Sequence, residues 1–310
     1  MDVLSDAITA MRTGLPHSSR TAKSAPWGLR FGASDGAGFH VVLQGSCWLI
    51  PPDGPGPVAL APGDVVFLPH GRGHGLADDP ATPLVDVVQG PDRAWVLSED
   101  VPPGAGPTTL MLCGAYQLNR SRFHPLLTGL PDVVHLPARI GAHPALRAAV
   151  DLLGGELERP GPGSDAVVPA LLDTLLLYIL RAWLQDHAVA ATGWAAALGD
   201  PAIAEALHAM HHDPAQPWTV EELGARAGLS RAAFARRFTT LVGQPPLAYL
   251  TWWRMTIASR LLAANGDITL RLVAQRSGYS SEFAFAKAFT REFGTPPGRY
   301  RRDRDGRAAK

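Results

Sequence analysis

Apolar and polar positions follow two different rhythms along this 310-residue chain. Between residues 25 and 137, short apolar runs at 39–43, 47–50, 65–68, 84–88, 94–97 and 109–112 are separated by Pro and Gly. Short runs bounded by such residues predict the strands of a small sandwich or barrel. Proline follows the same division, with 21 of its 28 copies in residues 1–169. From Pro144 onward the period becomes helical. Residues 144–158 and 168–186 form two apolar-periodic segments split by the breaker Gly161-Pro162-Gly163-Ser164, which predicts an αα-hairpin. Its second arm is apolar almost all round from Leu171 to Leu180. Such a helix must be covered on most sides, by the strands, by a second copy of the chain, or by both. Residues 188–200, rich in Ala, Gly and Thr, read as a linker.

Beyond residue 200 the pattern repeats itself. Thr219-Val220-x-x-Leu223-Gly224-x-Arg226-Ala227-Gly228-Leu229-Ser230 returns fifty residues later as Thr269-Leu270-x-x-Val273-Ala274-x-Arg276-Ser277-Gly278-Tyr279-Ser280. With one inserted residue in the second turn, Phe234, Phe238, Gly243, Pro245, Pro246 and Tyr249 match Phe285, Phe289, Gly294, Pro296, Pro297 and Tyr300. In each unit a threonine, Thr219 or Thr269, N-caps a short helix. Gly228 or Gly278 closes it in the left-handed conformation that glycine adopts cheaply. Ser230 or Ser281 then caps a second helix, whose two phenylalanines, four apart, share one face. The small Gly224 or Ala274 lets the two helices approach. This is a helix-turn-helix, whose second helix enters the DNA major groove.

With the phenylalanines inward, the first recognition helix offers Ser230, Arg231, Ala232, Ala235 and Arg236, and the second offers Ser281, Glu282, Phe283, Ala286 and Lys287. Arginine is the commonest reader of guanine, and Arg236 and Lys287 are the matched cationic positions. Glu282 can accept from cytosine or repel wrong sequences.

Residues 201–303 resemble the DNA-binding domain of the AraC/XylS family of bacterial transcription regulators. Phe289-x4-Gly294-Thr295-Pro296-Pro297-x2-Tyr300-Arg301 is similar to that family's closing signature, and residues 250–264, with Trp252, Trp253 and Arg254, to its connecting helix. In the first half, Gly63-x5-Pro69-x-Gly71-x2-His74 resembles the second motif of the cupin barrel. The first cupin motif is nearly absent: His40 stands near it, and Gly38 occupies the glutamate position. Cupin metal enzymes need the full set. The departure therefore argues against oxygenase or isomerase chemistry and fits the degenerate cupin used as a sensor by one branch of this family.

Four groups are candidates for the sensor: His40, Cys47, His74 and Cys113. Two His and two Cys suit tetrahedral zinc, but their spacing is loose. A redox-active cysteine pair and plain core lining stay open beside it. Gln44-Gly45-Ser46-Cys47-Trp48 imitates a papain-type nucleophile, yet Pro51, Pro52 and Pro55 follow where that enzyme needs a helix. His208, His211 and His212 imitate a metal-binding helix face and read as surface residues.

Composition adds a charge asymmetry. The chain has 28 basic and 28 acidic residues, but residues 1–200 hold 12 against 19, a net of −7, and residues 201–310 hold 16 against 9, a net of +7. The basic half is the natural partner of a polyanion. Asp173 interrupts the greasiest stretch, so no membrane span is expected. The first residues carry Asp2 and Asp6 and no secretory pattern, and two cysteines make no disulfide framework, so a cytoplasmic protein is expected.

The expected architecture is α+β: a cupin-like β-barrel (1–142) that senses an effector, a helical hairpin (143–187) that dimerises, the linker (188–200), an all-α double helix-turn-helix (201–303) and a basic tail (304–310). The expected function is sequence-specific DNA binding controlled by a small-molecule or redox signal, without enzymatic activity or cofactor. Expected partners are double-stranded DNA and a second copy, with RNA polymerase a further candidate. The alternative is a metal-dependent cupin enzyme fused to a DNA-binding domain.

Overall fold

In the computed structural model the apolar runs become strands of two separate sheets. The structure describes residues 2–11, 14–54, 56–89, 95–99, 102–118, 124–187, 193–264 and 268–308. Residue 94 of one expected run and residues 188–192 of the expected linker lie outside them. The chain divides into two units, residues 12–123 with 127–187, and residues 1–11 with 124–126 and 188–310.

In the first unit, β1 (His17–Ser24), β10 (Thr108–Gln117), β3 (Gly36–Gln44), β6 (Val65–Leu68) and β11 (Val134–Leu136) form a five-stranded sheet in that order. The second sheet orders β5 (Val58–Leu60), β4 (Cys47–Ile50), β7 (His74–Ala77), β2 (Gly28–Phe31), β8 (Val85–Gln89) and β9 (Trp95–Leu97). The expected closed barrel is corrected here: among the described residues no strand pairing joins one sheet to the other. The chain changes sheets between β3 and β4 at Gly45, where φ is +74° and an added Cβ would lie 2.6 Å from the Thr108 carbonyl, so a side chain there would break the crossing.

Between the sheets lies a core of Trp27, Leu29, Val42, Cys47, Leu49, Leu60, Val66, Leu68, Leu76 and Met111. Asp64, from the cupin-like motif, is a staple. Its carboxylate accepts from the Ala138 amide at 2.7 Å, from His135 Nε2 at 2.9 Å and from the Ala61 amide at 3.1 Å.

The predicted hairpin is present. A four-residue helix, α2 (Pro125–Thr128), precedes it, then α3 (Pro144–Glu158) and α4 (Ser164–Asp186). By length and composition α4 could cross a membrane, with 23 residues and a mean hydropathy of 1.7 over its best window despite Asp173. The helix nonetheless buries Leu172, Leu175, Leu176, Ile179 and Leu180, and it packs on α3 and on the five-stranded sheet. The buried Tyr116 hydroxyl donates to the Leu172 carbonyl at 2.8 Å.

The second unit is helical: α1 (Val3–Met11), α5 (Gly193–Gly199), α6 (Pro201–His212), α7 (Val220–Arg226), α8 (Arg231–Val242), α9 (Pro246–Ala264), α10 (Leu270–Arg276), α11 (Glu282–Phe293) and α12 (Pro297–Ala308). Residues 193–199 of the expected linker are therefore helix α5, because Trp194 and Ala197, three apart, are both buried. Helix α1 docks here, with Val3, Leu4, Ala7 and Ile8 buried. His211 is also buried, which corrects its surface assignment. Its Nε2 is 2.7 Å from the Tyr249 hydroxyl, its Nδ1 is 3.4 Å from Asp6, and its ring stacks on Trp253 at 3.9 Å. The Tyr249 hydroxyl also meets His124 Nε2 at 3.3 Å. Burial lowers the pKa of both histidines.

Candidate nucleic-acid interface and effector cavity

Each helix-turn-helix is built by the local signals read above. Thr219 Oγ1 accepts from the Glu222 amide at 3.1 Å while Glu222 accepts from the Thr219 amide at 2.8 Å, a reciprocal capping box. Thr269, Ser230 and Ser281 cap α10, α8 and α11. Gly228 and Gly278 have φ of +66° and +75°. At Gly224 a Cβ would sit 3.1 Å from the Leu229 carbonyl and 3.3 Å from Phe234 Cβ, so the close helix approach requires a small residue there. Phe234, Phe238, Phe285 and Phe289 are fully buried.

That burial turns the opposite faces outward. Ser230, Arg231, Ala232 and Arg236 are exposed and Ala235 is half-buried; Ser281, Glu282, Phe283 and Lys287 are exposed and Ala286 is half-buried. Arg231, Arg236 and Lys287 have no carboxylate partner among the described residues. Arg237 differs: its Nε donates to Asp200 at 2.6 Å, and Asp200 also caps α6. The helix thus ties down one arginine and leaves two for a ligand. Phe283, 81% exposed, is an apolar side chain beside two charged ones.

The first unit holds a cavity of about 410 Å³ between its sheets. One wall is polar or small: His17, Ser19, Thr21 and Lys23 at alternate positions of β1, then Cys113, Gly114 and Ala115 of β10 and Gly38 and His40 of β3. The other is apolar, from Leu29 and Phe31 of β2, Val87 of β8 and Val96 and Leu97 of β9. His40 and His74 meet here, Nε2 to Nε2 at 2.7 Å, so one ring donates and the other accepts. Phe31 stacks on His74 at 4.8 Å. Burial holds His40 well below the usual histidine range, and the neighbouring His74 reinforces this. Burial lowers His74 to about 4, partly opposed by the Arg72 backbone.

Of the four candidate sensor groups, the structure brings His40, His74 and Cys113 to the cavity. Cys113 pairs across the sheet with His40. Cys47 is in the core, its Sγ 3.9 Å from Met111 Sδ. Burial pushes both thiols up to about 12. No group of three or more His, Cys, Asp or Glu among the described residues is arranged to hold a metal. Sequence reading missed Lys23, Thr21 and Ser19, whose strand has no apolar run; their period-two spacing was the available signal.

Comparison with known proteins decides the family. The profile of the Cupin family matches residues 2–185 and that of a helix-turn-helix domain matches residues 223–303. A Streptomyces lividans protein described as an AraC-like transcription regulator is 35% identical over 97% of this chain and 98% of its own length. The chain belongs to the AraC-type transcription regulators. This regulator is also 32% identical to the HTH-type transcriptional regulator MtrA of Neisseria gonorrhoeae, over 85% of each chain. Among solved structures, the DNA-binding domain of AdpA in complex with a target DNA is 37% identical over 36% of this chain and 98% of that one, with a TM-score of 0.34. As a member of that family with a matched helix-turn-helix domain, the regulator binds DNA, and it is α+β, with a cupin half followed by a helical half.

Proposed function

We propose that this regulator reads DNA with Ser230, Arg231, Ala232, Ala235 and Arg236 on the first recognition helix and with Ser281, Glu282, Phe283 and Lys287 on the second, and that a small molecule in the cupin cavity sets the outcome. Residues 1–142 sense, 143–187 dimerise and 201–303 read. The observation that carries the first part is the pair of unpaired arginines opposite a buried phenylalanine face. The second part rests on the neutral His40–His74 pair lining a cavity within the usual size range of small-molecule sites. The cavity is a binding site rather than a catalytic one, consistent with relatives named as transcription regulators and with residence in the cytoplasm. RNA polymerase is the expected further partner of an activator.

A small molecule is favoured over a redox signal because both thiols are protonated at neutral pH, and the thiolate is the oxidisable form. The signal has two covalent routes. Strands β1 and β10, neighbours that line the cavity, lead within a few residues to α1 and to His124, which pack within the helical unit.

The test uses the full-length protein on fragments of its own genome at increasing salt. Counterion release makes affinity fall steeply with salt. Binding that ignores salt, or that survives combined Arg231→Ala and Arg236→Ala unchanged, refutes the assignment of these side chains as the DNA readers. Gly38→Val, which fills the cavity, is expected to abolish the response to the inducing condition and keep DNA affinity; an intact response refutes the sensor assignment. Ile8→Ser, at a buried position of α1, is expected to weaken the same response.

A further inference from the structure

Among the described residues that line the cupin cavity there is no Asp or Glu, but there are two cations, Lys23 and Arg72. Arg72 is already engaged: it lies 3.2 Å from Asp132 and 3.8 Å from Asp53. Lys23 is half-buried and has no ion-pair or hydrogen-bond partner among the described residues. The other titratable groups facing it do not compensate. His40 and His74 are held neutral, and burial also lowers His17. A lysine that lines a cavity with an apolar far wall and no carboxylate among its described lining residues favours an anion there, because attraction strengthens as water is excluded.

We propose that the cavity takes an amphipathic organic anion, with its carboxylate on Lys23 and its apolar body between the two sheets, a reading that rests on the cavity being the effector site. The register sets the length of the occupant. Ser19 lies opposite Cys113, which lies opposite His40, so the histidine pair shares a rung with Ser19. Lys23 is four residues farther along β1, about 13 Å at the usual strand rise. The far wall includes Leu29, Phe31, Val87 and Leu97. On the near wall the Ser19 and Thr21 hydroxyls are 3.3 Å apart and hydrogen-bond to each other. The Phe31–His74 stack closes the opposite end with aromatic surface. An acid with a ring or short chain at the Phe31 end and its head at the Lys23 end spans this space.

A lysine on an edge strand also discourages pairing with other chains, but that role does not distinguish one ligand charge from another. The test therefore varies charge at constant shape. Phenylbutanoate, phenylbutanol and phenylbutylamine are titrated into the full-length protein by calorimetry. The carboxylate is expected to bind best and the amine worst. Lys23→Gln is expected to weaken the carboxylate about tenfold or more and leave the alcohol unchanged, while Lys23→Arg keeps most of the affinity. Gly38→Val locates the site: an added Cβ there has no neighbour nearer than 3.8 Å, and the variant is expected to melt like the wild type and to lose binding of all probes. Equal binding of alcohol and carboxylate, both lost in Gly38→Val, would overturn the anion and leave the effector cavity standing. Carboxylate binding indifferent to both variants places the site elsewhere and overturns the proposal. Absence of binding by every probe overturns both the anion and the cavity reading.

Discussion

The neutral histidine pair makes the cupin unit sensitive to acid, and the size of the effect follows from the structure. An unfolded histidine titrates near 6.5, whereas His74 in the fold is lowered to about 4 by burial. Between those values the unfolded chain binds a proton that the folded chain refuses. Stability is therefore flat above about pH 6.5 and falls as pH drops through the window toward 4. At 1.36 kcal/mol per unit, lowering the pH from about 6.5 to about 5 removes about 2 kcal/mol through His74 alone. His40 is shifted in the same direction, first by burial and then by His74. Against a typical domain stability of about 5–15 kcal/mol this is a measurable fraction. The informative variant is His74→Phe, because a phenyl ring can continue the parallel stack on Phe31. It deprives His40 of its partner at every pH, which lowers stability by an offset. Its further loss between about pH 6.5 and about pH 5 is expected to be smaller than the wild type's by about 2 kcal/mol. Hydrogen exchange of the full-length protein, followed in peptides covering β3 and β7, reads this directly. Parallel pH dependences in wild type and variant would show that His74 is not held neutral, and the reasoning fails.

Arg236→Ala is expected to cost about 1–3 kcal/mol at the preferred DNA sequence and to relax discrimination at one or two base pairs; uniform weakening across sequences would make it a phosphate contact instead. Phe234→Ala and Phe285→Ala should each destabilise their helix-turn-helix by about 3–5 kcal/mol, and unchanged thermal melting in either would mean that the helix faces are reversed. Leu152, 62% exposed on the hairpin, is expected to lie in the contact between two copies, so Leu152→Glu should shift sedimentation from dimer to monomer; a wild-type monomer refutes hairpin dimerisation.

The helix-turn-helix repeats were legible because their determinants are local. A capping threonine, a glycine at positive φ and a phenylalanine pair act within a dozen residues, and each does in the structure what its position in the sequence implies. Strands 47–50 and 65–68 were legible for a related reason: both faces of a buried strand are apolar. Strand β1 was not. Its sequence, His-Ser-Ser-Arg-Thr-Ala-Lys-Ser, carries no apolar alternation because its inward face borders a cavity rather than packed core. The property that hid the strand is therefore the one that marks its function, since a face that must solvate a ligand cannot also advertise itself by hydrophobicity.

The histidines of α6 show the complementary limit. His208, His211 and His212 look alike in sequence, yet only His211 is buried. What separates them lies far away along the chain: Tyr249 and Trp253 from the connecting helix, Asp6 from α1, and His124 from the segment after β10. Spacing on one helix gives the face of a side chain but not whether that face is covered, because the covering groups arrive from other elements. The same logic governs the sensor groups. The pairing of β3 with β10 puts Cys113 beside His40, and His74 reaches the same cavity from β7 of the other sheet, whereas Cys47, on β4 of that sheet, lies in the packed core. Sheet membership therefore does not separate the four groups: both sheets contribute to the cavity, and Cys47 is lost to it because it packs in the core. The ligand contacts available to the cavity are set by how the strands pair within both sheets as much as by the residues themselves.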